Sequence, residues 1–106
     1  MENLVFLELL KRGYDLKKYE LFYYRSRNDK ETDFVCRCGY KIEQLIQICY
    51  DISNKKTRRR EIDSLIECAE ELKCHELIIV TWDNEEVIDE RGESIKVIPL
   101  RKWCGQ

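Results

Sequence analysis

The stretch that decides the fold of this chain is residues 30–51, KETDFVCRCGYKIEQLIQICYD. Two runs rich in β-forming residues, 32–38 and 41–50, flank Gly39 and Tyr40, and this pattern predicts an antiparallel hairpin. Asp33 and Gln47 stand among apolar residues, at positions where a core ordinarily holds aliphatic side chains. The stretch therefore predicts a pair of strands with a polar feature set into them.

The register of this hairpin follows from the position of its turn. A turn centred on Tyr40 predicts the cross-strand pairs Cys38 with Ile42, Cys36 with Gln44, Phe34 with Ile46, and Asp33 with Gln47. Side chains alternate along a strand, so Asp33 and Gln47 then share one face with Cys49, and their Cβ atoms lie roughly 5 Å apart.

The flanking sequence predicts helices on both sides of this hairpin. Apolar residues at helical spacing indicate helices over residues 2–13 and from about 54 to 73, and Leu4 and Leu7 widen the first apolar face so far that we expect that helix to be well buried. Further strands are predicted over 20–26 and 76–82, followed by a hairpin over 85–100 that turns at Arg91-Gly92. Trp103 is expected to pack back in a short last turn. The fold class is therefore α/β with a mixed sheet, in one domain over 1–106.

Composition limits the partners that this chain can attract. Its 106 residues carry a net charge of −2, so nucleic-acid binding would need a local basic patch. No signal peptide or membrane span is recognisable, and we expect no membrane partner. Six cysteines lack the paired spacing of zinc ligands, so we expect no zinc and a cytoplasmic location with reduced thiols.

Two clusters carry possible chemistry. Asp33, Gln47 and Glu2 offer the oxygen ligands that Mg²⁺ or Mn²⁺ prefers, although a hydrogen-bonded polar pair at a sheet edge is the simpler explanation of Asp33 and Gln47. A basic cluster could contact phosphates near a helix N-terminus, or could be a solvated face paired with Glu61, Asp63 and Glu67. Its members are Lys55, Lys56, Arg58, Arg59 and Arg60.

The element order and the central hairpin resemble the PD-(D/E)XK nuclease fold. More closely, the chain is similar to a C-terminal domain of unknown function in archaeal AAA-type ATPases. The stretches that carry this likeness are ENLVFLELLKRG, ETDFVCR, LIQICYDIS, KKTRRREIDSLIECAEELK and LIIVTWD. The resemblance implies an αβββαβ restriction-endonuclease-like core with a mixed sheet, plus a C-terminal β-hairpin.

The nuclease pattern can be placed on this chain residue by residue. It implies that Glu2 is the acid of the first helix, Asp33 the metal-binding aspartate and Gln47 the (E/Q) ligand. The lysine position is Cys49, which departs from the motif, because a neutral thiol stabilises developing phosphate charge poorly. Lys55 or Lys56 is then the candidate for a displaced lysine.

Three functions remain open at this point. The first is a degenerate nuclease-like module that belongs with an ATPase and binds nucleic acid or a partner protein. The second is an active Mg²⁺- or Mn²⁺-dependent DNA endonuclease, and the third a protein–protein module that dimerises through the terminal hairpin. Since Glu2 directly follows Met1, we also expect the chain to be a piece of a longer protein.

Overall fold

The computed structural model describes residues 1–14 and 19–105. Its helices are α1 (Glu2–Lys11), α2 (Lys55–Leu72) and α3 (Leu100–Cys104). Its strands are β1 (Tyr19–Arg25), β2 (Glu31–Cys38), β3 (Lys41–Ile48), β4 (Leu77–Thr81), β5 (Glu86–Glu90) and β6 (Glu93–Pro99). The predicted α/β class with a mixed sheet is confirmed, and the predicted elements recur within two residues at most of their ends.

One six-stranded sheet has the order β1-β2-β3-β4-β6-β5. The first three strands are antiparallel, whereas β3 with β4 and β4 with β6 are parallel. The C-terminal hairpin turns at Arg91 and Gly92 as predicted, and both have positive φ, 50° and 79°. Because β6 pairs directly with β4, this hairpin extends the main sheet.

Helices cover both faces of the sheet and bury a separate apolar cluster on each. The α2 face is filled by a cluster that includes Val35, Leu45, Ile62, Leu65, Ile66, Ile79 and Ile95. The α1 face, which α3 shares, is filled by Val5, Leu9, Cys36, Ile46, Val80, Ile98, Leu100 and Trp103. The alternation of side chains along β2, β3 and β4 sends neighbouring residues to opposite clusters.

The β2–β3 register is right on the Asp33 side of the hairpin and wrong near the turn. Cys36 pairs with Gln44 and Phe34 with Ile46, as predicted, but Cys38 pairs with Lys41 instead of Ile42. Gly39 and Tyr40 form a two-residue turn, with Gly39 at φ 62°. A bulge at Glu43, between the pairs Cys36–Gln44 and Arg37–Ile42, absorbs the one-residue difference.

The expectation that α1 is well buried is wrong for its outer side. Val5 and Leu9 are fully buried against the sheet, but Leu4 is 52% exposed and Leu7 51% exposed. Among residues 1–14 and 19–105, α3 is the helix that shares this face, and no layer of these residues covers the side of α1 that points away from the sheet. None of the helices in the described part of the chain is long and apolar enough to cross a membrane.

Trp103 closes the α1 face, as the sequence predicted for the last short turn. Its side chain is fully buried. The Arg12 guanidinium lies over the indole ring, 4.3 Å from its centroid, and also donates to the Trp103 carbonyl oxygen. Arg12 therefore ties α1 to α3 through a cation–π contact and a hydrogen bond.

We expect Leu65→Ala to lower the free energy of unfolding by about 2–5 kcal/mol, because it leaves a cavity beneath α2 where Leu65 is fully buried. Urea denaturation followed by circular dichroism would measure the change. Glu70→Ala is the matched control, since Glu70 is exposed on the same helix and should change stability by less than about 0.5 kcal/mol. Equal effects of the two substitutions would contradict this placement of the core.

Candidate functional site

The polar pair of the central hairpin bonds to backbone groups. The Gln47 side chain is buried, and its Oε1 accepts from the Asp33 amide at 3.0 Å while its Nε2 donates to the Glu31 carbonyl oxygen at 3.1 Å. The side-chain amide thus imitates a peptide group and continues the β2–β3 ladder beyond the pair Phe34–Ile46. Gln47 satisfies its polar groups without any ligand.

Asp33 makes the reciprocal contact. Its Oδ2 accepts a hydrogen bond from the Ile48 amide at 2.9 Å. Burial raises the pKa of Asp33 to about 6, the Ile48 hydrogen bond partly opposes this shift, and the negative charges of Glu2, Glu61 and Glu31 add to it. Asp33 is therefore an acid that titrates close to neutral pH while bonded to the neighbouring strand.

Asp33 and Gln47 lie in an open groove of about 320 Å³ between the hairpin and α2. The other lining residues are Ile48 from β3, Asp29, Lys30 and Glu31 at the start of β2, and Arg60, Glu61 and Ser64 from α2. Sequence reasoning missed Glu61, Ser64 and Lys30 as groove residues. The signal was available on α2: Arg60 and Ser64 are one turn apart, and with Glu61 they form a polar strip beside the apolar residues of that helix.

The oxygen atoms of this groove fit a divalent cation poorly. Gln47 Oε1 and Asp33 Oδ2 already accept backbone hydrogen bonds, which leaves Asp33 Oδ1 and the carboxylates of Asp29, Glu31 and Glu61 as acidic ligands. Arg25 pairs with Asp29 and Glu31, and Arg60 pairs with Glu61. Within residues 1–14 and 19–105, no group of three or more His, Cys, Asp or Glu side chains is arranged to hold a metal ion. An Mg²⁺ or Mn²⁺ site here stays a prediction.

Glu2 does not line this groove. It opens α1, which packs on the sheet face opposite to α2, and its side chain is exposed. Its charge nevertheless contributes to the raised pKa of Asp33. The structure thus brings Glu2 within electrostatic range of Asp33 and places it outside the set of groove residues.

Cys49, at the lysine position of the nuclease pattern, belongs to the apolar cluster beneath α2. The residue is only 7% exposed, and its thiol donates to the Asp51 carbonyl oxygen at 3.4 Å. Burial raises the pKa of this thiol, which keeps it neutral. Position 49 therefore supplies packing, and no charge reaches the groove from it.

Most of the basic cluster is paired with carboxylates. Arg58 makes two hydrogen bonds to Glu86, at 2.8 and 2.7 Å, and Arg59 contacts Asp63 and Glu90. These contacts lower the pKa of Glu86 and of Glu90. The predicted pairing with acids is thus found, but its main partners come from β5, which sequence reasoning did not consider.

The remaining members of the cluster lie at different places. Lys55 lines a second groove, between α2 and β5, together with Arg58 and Arg59. Lys56 is exposed one turn before Arg60, on the helical side that borders the Asp33 groove. Arg60 reaches Glu61 at 3.4 Å and is two-thirds exposed. Neither of the two displaced-lysine candidates is among the residues that line the Asp33 groove.

This chain has relatives among known proteins over nearly its whole length. Residues 1–103 match the family described as Domain of unknown function (DUF4143). The chain belongs to this family. It is 35% identical over 109 aligned residues to an uncharacterised protein of Methanocaldococcus jannaschii, and the match covers 97% of this chain and 24% of that relative. The chain therefore spans about a quarter of the length of this curated relative. No solved structure matches the present chain.

We expect Asp33→Asn to remove one component of the pH dependence of stability. Because the folded pKa of Asp33, about 6, lies above its ordinary value of 3.8, the folded state binds a proton more readily than the unfolded state between these values. Wild type should therefore lose stability relative to Asp33→Asn as the pH rises from 4 to 7, by about 1 kcal/mol once the partial exposure of Asp33 is allowed for.

Urea denaturation at pH 4, 5, 6 and 7 would measure this difference. Asp89→Asn removes an exposed carboxylate on β5, outside the groove, and controls for the loss of one charge. If the free energies of unfolding of wild type and Asp33→Asn change in parallel with pH over this range, the pKa of Asp33 is not raised by folding, which would contradict the prediction.

Proposed function

We propose that this chain is a nuclease-like module that does not cleave nucleic acid and that serves as a binding module beside an ATPase. One observation supports the loss of cleavage above all others. The side chains at the metal-ligand positions of the nuclease pattern, Asp33 and Gln47, bond to backbone groups of β2 and β3, and the lysine position is a buried cysteine.

Charge distribution favours a protein partner over nucleic acid. Arg58 and Arg59 are neutralised by Glu86, Asp63 and Glu90, and the whole chain carries a net charge of −2. A nucleic-acid interface ordinarily needs several unpaired cations on one surface to displace counterions from the phosphates. Of the remaining cluster members, Arg60 pairs with Glu61, and Lys55 and Arg60 line two different grooves.

The association with an ATPase rests on the sequence resemblance to the domain found in archaeal AAA-type ATPases. The length of the Methanocaldococcus jannaschii relative is compatible with it, since about three quarters of that protein lies outside the matched region. In this proposal, the ATPase module acts on a substrate or assembly, and the present module contributes a docking surface.

A second function, cleavage with a displaced cation, is favoured by the composition of the Asp33 groove. Asp29, Glu31, Asp33 and Glu61 place four carboxylates there, and Lys30 and Arg60 provide cations. Arg60 could stabilise charge that develops on a phosphate, which is the task of the lysine in the nuclease pattern.

Nuclease assays with Mg²⁺ and with Mn²⁺, on linear and on branched DNA, separate the two functions. We expect wild type to show no cleavage above the rate of Asp33→Ala, and Mn²⁺ calorimetry to give the same heats for both proteins. Asp89→Ala is the matched control for loss of a surface carboxylate. Cleavage that falls tenfold or more in Asp33→Ala, but not in Asp89→Ala, would overturn the proposed function and establish the second one.

A further inference from the structure

The α1 face of the sheet carries an apolar patch that the fold leaves uncovered. Among the described residues, eight large hydrophobic side chains are exposed, and five of them lie on this face: Leu4, Phe6, Leu7, Tyr50 and Trp82. Single exposed apolar residues are normal on a monomer, but a contiguous group marks an interaction surface. We call Leu4, Leu7, Tyr50 and Trp82 the apolar patch.

The members of the apolar patch adjoin one another. Leu4 and Leu7 are one turn apart on the outer side of α1. Trp82 follows β4 and stacks on Tyr50, which follows β3, with ring centroids 5.9 Å apart and an interplanar angle of 7°. A cleft of about 430 Å³, lined by Leu4, Trp82, Leu100, Arg101 and Cys104, joins the helix to this aromatic pair.

Tyr50 and Trp82 have the features of interface anchors. They are 64% and 52% exposed although each ring is stacked on the other. Aromatic side chains supply much contact area with few rotatable bonds, so burying a pre-stacked pair costs little conformational entropy. Helix α1 also supports an interface here, because a helix that is apolar on nearly all sides is normally covered on all sides.

We propose that the apolar patch is the contact surface of a homodimer, in which a second copy of this chain packs its own patch against it about a two-fold axis. The proposal is independent of the proposed function, since the Asp33 groove lies on the opposite, α2 face of the sheet. It also replaces the predicted dimerisation through the terminal hairpin, whose edge strand β5 has three acidic residues among its five.

The charges at the rim of the patch favour a second copy as the occupant. Lys102 pairs with Glu85 at 2.7 Å, and Arg101 faces Asp83 at 3.8 Å. These two pairs place two cations and two acids beside the patch and add no net charge there. A two-fold axis sets a surface against itself, so a rim of one sign would repel its copy, whereas this balanced rim is self-complementary.

The area of the patch sets the expected strength of the dimer. If a fully exposed aromatic side chain contributes about 150–250 Å², the four patch side chains together expose roughly 400 Å². Two copies would bury roughly 800 Å² from these side chains alone, and the rim would bring the total near the lower bound of about 1,200 Å² for specific interfaces. We therefore expect a reversible dimer with a dissociation constant in the micromolar range.

Sedimentation equilibrium of the full chain, over a range from low micromolar to several hundred micromolar, tests this proposal. Wild type should pass from monomer to dimer across the range. Leu7→Lys and Trp82→Lys, which change exposed residues on two different elements, should each weaken dimerisation tenfold or more. Val87→Lys is the matched control, because Val87 is a 63% exposed apolar residue on β5, outside the patch, and its substitution should leave the dissociation constant unchanged.

Acrylamide quenching of tryptophan fluorescence gives a second readout on wild type itself. Trp103 is fully buried, so the accessible emission comes from Trp82 and should become protected as the concentration rises. The proposal is overturned if wild type stays monomeric at several hundred micromolar, which would assign the patch to a different polypeptide. It is equally overturned by a dimer that Val87→Lys weakens as much as Leu7→Lys does, or by one that leaves Trp82 accessible.

Discussion

Hydrogen bonds from the side chains of Asp33 and Gln47 to backbone groups of the neighbouring strand hold the centre of the sheet together. Strand β3 has an antiparallel neighbour on one side, β2, and a parallel neighbour on the other, β4. Where the β2–β3 ladder ends, the Asp33 carboxylate binds the Ile48 amide, and the Gln47 amide binds the backbone of β2. Without these bonds, part-buried peptide groups of both strands would lose their partners, at a cost of up to about 1–3 kcal/mol each.

Local patterns in the sequence were sufficient to predict the order of the elements and the pairing of Asp33 with Gln47. The predicted register holds from Cys36–Gln44 to Phe34–Ile46 although the turn was placed one residue off, because the bulge at Glu43 compensates for that error, and beyond this ladder Asp33 and Gln47 meet through the Asp33 amide and the Gln47 side chain. A bulge has no strong signal in a single sequence, since Glu43 is as compatible with a regular strand as with a bulged one. The predicted neighbours were thus correct, and their bonds to backbone groups appear only in three dimensions.

Features that depend on distant parts of the chain could not be predicted in the same way. The carboxylates that neutralise Arg58 and Arg59 come mainly from β5, about 30 residues further along, and they meet α2 only because β6 inserts beside β4. The outer side of α1 reads as buried from its composition, yet nothing within the described residues covers Leu4 and Leu7. Periodicity identifies an apolar helix face but does not identify its partner.

The two faces of the sheet therefore differ in what they leave unsatisfied. On the α2 face, Arg58 and Arg59 are paired with acids, Asp33 and Gln47 bond to backbone groups, and the Cys49 thiol packs in the core. A lysine at position 49 would have to carry its ammonium group out of this cluster or lose its charge there, because burial of an unpaired charge is strongly unfavourable. Asp33, Gln47 and Cys49 are thus already satisfied by hydrogen bonds and packing within the fold. On the α1 face the exposed apolar patch has no such contacts on its outer side, and burial against protein is the contact that would stabilise it.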